Sequence, residues 1–213
     1  LIEANVPVSQ PFRKRSRAPA ATAKGRKQDL VKAAYHLVVA LGLEGLRTRL
    51  VAERVGINIA TLHYYFPTKE ALIGGVASYL SSQFAEVHAP PVPVQKSQAL
   101  TRLQQEFADA RFYLLQRPDM LVVLEELGLR ARRDSAVRRV IDPFTRFWEG
   151  GLRSMIETGI AEGVFRADAT PAPSATFLAA ALAGALRSPD AATALDIVCS
   201  EIERWLRMGA AQI

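Results

Sequence analysis

The sequence holds one cysteine, Cys199, and only three histidines, His36, His63 and His88. A lone cysteine closes no internal disulfide, and no two of the histidines stand three or four residues apart, so neither a disulfide framework nor a helical metal site is expected. Long apolar runs are missing too. The longest, residues 177–186, has ten residues, against the roughly 18 that begin to suggest a membrane-spanning helix. No alternating β-branched segment reads as a strand, and so no glycine-rich phosphate loop follows one. Glu125 and Glu126 are neighbours in sequence and therefore point apart on a helix, unlike a working carboxylate pair. Cys199 lies in an apolar stretch with no base beside it, which removes a thiol nucleophile. Together these absences argue against an enzyme and predict neither cofactor nor metal. No secretory signal is read at the start of the sequence, and a cytoplasmic protein without membrane contact is expected.

What is present is a globular composition. Of 213 residues, 49% are apolar and 23% charged, enough to build a core without staples. The net charge of +6 is confined to one place. Residues 1–27 carry seven bases (Arg13, Lys14, Arg15, Arg17, Lys24, Arg26, Lys27) against Glu3, and the remainder is balanced. That N-terminal arm, 1–25, is rich in Pro, Ala and Ser and buries too little to order itself. It is either a solvated tail or an arm that neutralises phosphates.

Apolar periodicity then predicts helices throughout. The first runs from Gln28 to Leu41 and ends at Gly42. A second spans Thr48 to Val55, with Thr48 as its cap and Gly56 as its exit. A third opens on Asn58 and stops near Tyr65 ahead of Pro67, and a fourth runs from Thr68 towards His88. The run Ala89-Pro90-Pro91-Val92-Pro93 interrupts. Further helices are marked by Leu100 to Leu114, by Met120 to Ala131, by Val137 to about Glu162, by Ser174 to Arg187, and by Leu195 to Trp205. Pro143 either kinks the long one or begins it afresh after Asp142. The fold class is all-α.

Residues 48–69 carry the functional signal. With Gly56 as a turn, Val51, Ala52, Val55, Ile57 and Leu62 face inward. Ala52 lets two helices cross closely, and Gly56 takes a backbone angle other residues resist. The second helix of the pair is left presenting Asn58, Thr61, His63, Tyr64 and Tyr65 outward, without a carboxylate. These are groups suited to phosphate oxygens and to base edges in a major groove.

The segment from Thr48 through Tyr64-Tyr65-Phe66-Pro67-Thr68-Lys69 to Leu72 resembles the DNA-binding signature of the TetR family of transcriptional regulators, closely over about residues 26–80. Two departures stand out: His63 where the family commonly has tyrosine, and Asn58 where serine is frequent. The resemblance implies an N-terminal three-helix helix-turn-helix domain (26–72) and a larger helical effector-binding and dimerisation domain (73–213). It implies a regulator, by the family's habit a repressor, that binds a palindromic operator on double-stranded DNA as a homodimer and is released by a small-molecule effector. Thr48, Tyr65 and Lys69 would grip the backbone. Thr61, His63 and Tyr64 would meet base edges or phosphate, and Arg26 and Lys27 would add phosphate contacts. Arg47 and Arg49 are either backbone contacts or solvated charges, and His63 has the rival reading of an ordinary surface histidine. Phe66 packs inward.

Two further expectations concern the C-terminal helices. Phe177, Leu178, Leu182, Leu186, Leu195, Val198, Ile202 and Trp205 form either a dimer interface or the core of a monomer. In the first case a small face of Ala175, Ala179, Ala183 and Gly184 permits close approach. The region rich in large side chains (Phe107, Phe112, Tyr113, Met120, Phe144, Phe147, Trp148, Met155) is either core or an effector cavity. In the second case Phe107, Met120, Leu124, Phe144, Trp148 and Met155 line it, Arg111 and Glu125 anchor it, and the effector is apolar or aromatic with one polar handle. The competing function is a helical small-molecule-binding or scaffolding protein without sequence-specific DNA binding.

Overall fold

Five helices start on a side chain that closes their first turn. Asn58 accepts from the Thr61 amide, Thr68 from Ala71, Ser97 from Leu100, Asp134 from Ala136 and Val137, and Asp190 from Thr193. Two others open on a proline, Pro118 and Pro171, whose missing amide hydrogen has no helical partner to lose there. The structure, a computed structural model, describes residues 23–209. Among these the elements are α1 (Ala23–Gly45), α2 (Thr48–Val55), α3 (Ile59–Tyr65), α4 (Lys69–Glu86), α5 (Gln98–Gln116), α6 (Pro118–Ala131), α7 (Ser135–Ala161), α8 (Pro171–Leu186) and α9 (Ala191–Arg207), with no strand.

The arm bases Arg13, Lys14, Arg15 and Arg17 lie outside the described residues. Residues 23–25, placed in the arm on composition, are helical and belong to α1. Two other boundaries also differ. Thr48 is the first helical residue of α2, and Arg47 occupies the cap position without a side-chain bond. The end of α1 continues past Gly42, which breaks helical geometry (φ 68°) inside the element. Of the two readings of Pro143, the fresh start after Asp142 is excluded, because α7 runs on through it. Both Pro143 and Arg139, whose carbonyl loses its amide partner, are exposed residues, so the break lies at the surface of α7 and not in its core.

The helices bury two hydrophobic cores. One joins α1, α2, α3 and α4 to α6 and the start of α7, through Leu30, Leu46, Val51, Leu62, Phe66, Leu72, Met120 and Leu127. The other joins α5, the end of α7, α8 and α9, through Leu103, Phe107, Met155, Phe165, Leu178 and Ile202. The boundary expected at residue 72 falls inside α4, so head and body share a helix and part of a core.

At the end of α7 the chain turns so tightly that the Phe165 ring lies against Gly159. A Cβ on Gly159 would sit 2.0 Å from Phe165 Cδ2. No side chain larger than hydrogen fits at that approach.

Candidate functional site

The reading head is built from α2 and α3. Gly56 leaves α2 in the left-handed region (φ 72°, ψ 36°), and a Cβ there would meet nothing within 4 Å. Backbone conformation alone, not space, selects glycine. The turn is closed by the Ile57 amide donating to the Ala52 carbonyl at 3.0 Å. Val51, Ala52 and Leu62 are buried, while Val55 and Ile57 pack half-buried against the same core. Phe66 is buried as expected.

The opposite face of α3 is open. Tyr64 is 81% exposed, an unusual position for an aromatic with nothing to cover it, and its ring meets that of Tyr65 edge-on at 5.2 Å. His63 is exposed, Thr61 and Tyr65 are half-buried, and residues 58–68 contain no acid. The nearest acids in sequence are drawn off sideways: Glu53 pairs with Arg49 at 3.1 Å and Glu70 with Arg130 at 3.6 Å.

Several candidate DNA contacts already hold partners. Asn58 Oδ1 accepts from the Thr61 amide at 2.7 Å and from the Thr61 hydroxyl at 2.9 Å, so these two side chains set the start of α3. Lys69 Nζ donates to the Leu43 carbonyl at 3.1 Å, which leaves two of its three ammonium hydrogens. Arg47 donates to the Glu44 carbonyl. Lys27 stands 5.5 Å over the Phe66 ring, Arg26 and Thr48 are half-buried, and Arg47, Arg49 and Lys27 remain exposed.

Behind the head lies a cavity of about 270 Å³ between α4, α5, α6, α7 and α8. Of the residues expected to line it, Leu124, Phe144, Trp148 and Met155 do so. Phe107, Arg111, Met120 and Glu125 do not. Phe107 turns into the core of α5, α7 and α9, and Met120 into the head-side core. Arg111 forms two hydrogen bonds to Asp196 Oδ1, at 3.0 and 2.7 Å, and Glu125 pairs with Arg187 at 3.3 Å on the outside. One residue on a helix is 100° of rotation, enough to turn a side chain from cavity to core.

The polar wall is instead Arg102, Glu106, Asp109 and Tyr113 on α5, with His88 and Phe84 beside it. Their spacing of four, three and four was legible: a polar stripe at helical period beside the apolar stripe of Leu103, Phe107 and Ala110. Glu106 accepts from Trp148 Nε1 at 2.5 Å. Burial raises its pKa above the ordinary carboxylate range, and the Trp148 bond opposes the rise. The Tyr113 hydroxyl donates to the Val87 carbonyl at 2.9 Å, and burial pushes its pKa up as well.

The expected dimer residues divide in the same way. Leu178, Leu182, Leu195 and Ile202 are buried within this chain's own core, Leu186 is half-buried at the cavity, and Val198 and Trp205 are half-buried. Only Phe177 stands out, 55% exposed, with Ile197 of α9 at 58%. Small residues open on α8 include Ala172, Thr176, Ala180 and Gly184, whereas Ala175 and Ala179 face inward and Ala183 is half-buried. Both helices were legible in the sequence, and of the expected face Phe177 and Gly184 do turn outward.

Among the described residues no group of three or more His, Cys, Asp and Glu could hold a metal, and no helix is long and apolar enough to cross a membrane. A helix-turn-helix head with an open polar-aromatic helix is thus mounted on a helical body that holds a cavity. Residues 30–76 match the family described as bacterial regulatory proteins, tetR family. The transcriptional repressor NicS of Pseudomonas putida is 29% identical over 148 residues, covering 67% of this chain and 66% of that protein. The class A tetracycline repressor from transposon 1721 of Escherichia coli is 36% identical over 64 residues, covering 30% and 28%. The chain thus spans just under two thirds of NicS and less than a third of the tetracycline repressor in these alignments. In fold, a TetR transcription regulator from Haloarcula marismortui superposes with a TM-score of 0.73 at 20% identity, covering 88% of this chain and 100% of that one. Over residues 30–76 the chain is similar to the tetR family of bacterial regulatory proteins, and its fold is shared with TetR regulators of solved structure. Proteins of this family are in general DNA-binding regulators rather than catalysts.

Proposed function

We propose that this chain is a ligand-responsive repressor that binds a palindromic operator as a homodimer and releases it when a small molecule enters the cavity. The observation that carries the reading is the open face of α3: Tyr64 and His63 exposed on a capped helix with no acid between residues 58 and 68. One short helix reads only a few base pairs, so two copies are required, with recognition helices about 34–36 Å apart. The outer face of α8 and α9, with Phe177 and Ile197 exposed beside Thr176, Ala180 and Gly184, supports the pairing. Arg26, Lys27, Arg47, Thr48, Arg49 and Lys69 surround the face as phosphate contacts, and the basic arm adds to them.

Coupling between cavity and head runs through α6. Leu121 and Leu124 line the cavity, and on the same helix Asp119 and Glu126 hold α1 through Tyr35 and the Leu43 amide. An effector that binds one position of α6 better than another shifts the spacing of the two heads. Within this reading residues 26–72 act as the DNA-binding unit, the remainder as the effector and dimer unit, and the cytoplasm is where the operator is met.

The test is selection of duplexes from a random library by the purified chain, followed by mobility shift and sedimentation. A palindromic consensus bound by a dimer, and lost in Tyr64→Ala with unchanged thermal stability, is expected. A monomer at micromolar concentration, or no enriched sequence, overturns the reading.

A further inference from the structure

The cavity contains a carboxyl group, Glu106, that forms no ion pair among the described residues; the cationic groups of Arg102 and His88 act on it only from a distance. Among the described residues Glu106 has a single hydrogen-bond partner, the Trp148 indole, which donates to Oε1. Arg102, one turn earlier on α5, turns its guanidinium to the Gly151 carbonyl at 3.0 Å and forms no ion pair with Glu106 among the described residues. The second cavity carboxylate, Asp109, is occupied: Oδ1 accepts from the Ala89 amide at 2.8 Å and from Gln105 at 3.1 Å, and Oδ2 lies 3.3 Å from His88 Nδ1. Besides Arg102, His88 and Asp109, five aromatic residues share the cavity wall with Glu106: Phe84, Tyr113, Phe144, Phe147 and Trp148. The Phe84 ring lies 4.8 Å from Phe144 and 5.0 Å from Tyr113.

An ionised carboxylate facing apolar rings is costly unless a cation or strong donor meets it. Aromatic faces attract cations and gain nothing from anions. Both features select the same sign of ligand. Burial has already moved Glu106 towards its protonated form, the direction a bound cation would reverse.

We propose that the effector carries a positive charge: a small aryl or branched alkyl ammonium compound whose cation is held by Glu106 among the rings of Phe144, Phe147 and Trp148. The cavity, about 270 Å³, is at the small end for ligand sites and suits a single ring with its ammonium group. The inference rests on the effector reading above and adds to it the sign of the ligand's charge.

The experiment is equilibrium dialysis of the full chain against phenyltrimethylammonium, its neutral isostere tert-butylbenzene, and benzenesulfonate. The cation is expected to bind at least tenfold more tightly than either comparator, and Glu106→Gln is expected to erase that preference while binding of the neutral compound persists. Equal or tighter binding of the neutral or anionic probe, or an unchanged preference in Glu106→Gln, overturns the charge assignment and leaves the effector cavity standing. No binding of any of the three overturns both. The wild-type comparison alone decides the sign, even if the variant fails to fold.

Discussion

The Tyr35 hydroxyl of α1 donates to Asp119 of α6 at 2.6 Å, a bond between residues 84 apart in sequence that ties the head to the body. Asp119 also accepts two hydrogen bonds from Arg117, at 3.0 Å each. Eight residues along α1, the break at Gly42 leaves the Leu43 amide free of a helical partner, and Glu126 of α6 takes it at 2.8 Å. The two contacts occur in the same order along both helices, so α6 holds α1 at two points about two turns apart.

Acid sensitivity follows from the first of these. Burial works against the Asp119 carboxylate, but the hydrogen bonds from Arg117 and Tyr35 outweigh it and hold the carboxyl below its usual range. A value depressed in the folded state adds stability above the unfolded pKa of about 3.9, and that stability is lost as pH falls through the folded value. Asp119→Asn is expected to lower stability at pH 7 and to flatten the decline below about pH 4. Tyr35→Phe should cost about 1 kcal/mol at pH 7. Urea denaturation at pH 7 and pH 3 checks both.

Asn58 separates stability from binding. Asn58→Ala removes the α3 cap and is expected to cost about 1 kcal/mol. Asn58→Asp keeps an acceptor for the Thr61 amide and favours the helix start, but places a negative charge on the DNA face. Its melting temperature should match or exceed that of the parent while its affinity for the selected operator falls. An aspartate variant that binds DNA normally would remove this end of α3 from the interface.

Gly159→Ala should be among the most damaging single-methyl additions, because the new carbon would overlap Phe165, itself buried. A loss of about 3 kcal/mol is expected, at the upper end for overpacking. Combining it with Phe165→Leu should recover part of that loss in thermal melts, since the ring is what the methyl meets.

Cys199 is buried on α9, and burial pushes its thiol pKa up to about 11. At pH 8 the native chain is expected to resist iodoacetamide for hours and to react within minutes in denaturant, as followed by intact mass. Rapid native labelling would mean that α9 opens in solution.

The salt dependence of operator binding tests the arm. Each phosphate it neutralises adds roughly 0.9 to the slope of log affinity against log salt. Deleting residues 1–22 should flatten the slope by one or more such steps; an unchanged slope assigns the arm no phosphates.

The amino-acid sequence by itself determined the helices and the reading head, because those depend on neighbours. Asn58 and Thr61 are three residues apart, Gly56 sets its own backbone angle, and the starts at Thr68 and Pro118 lie within one turn of the groups they satisfy. Only the tertiary structure decided which faces of α5, α8 and α9 turn inward. Phe107 and Glu106 are adjacent in sequence, yet one is core and the other cavity lining; Leu178 and Phe177 are adjacent, yet one is buried and the other exposed. A helix with apolar residues on more than one side can be rotated without altering its own hydrogen bonds, so its orientation is set by the helices packed against it.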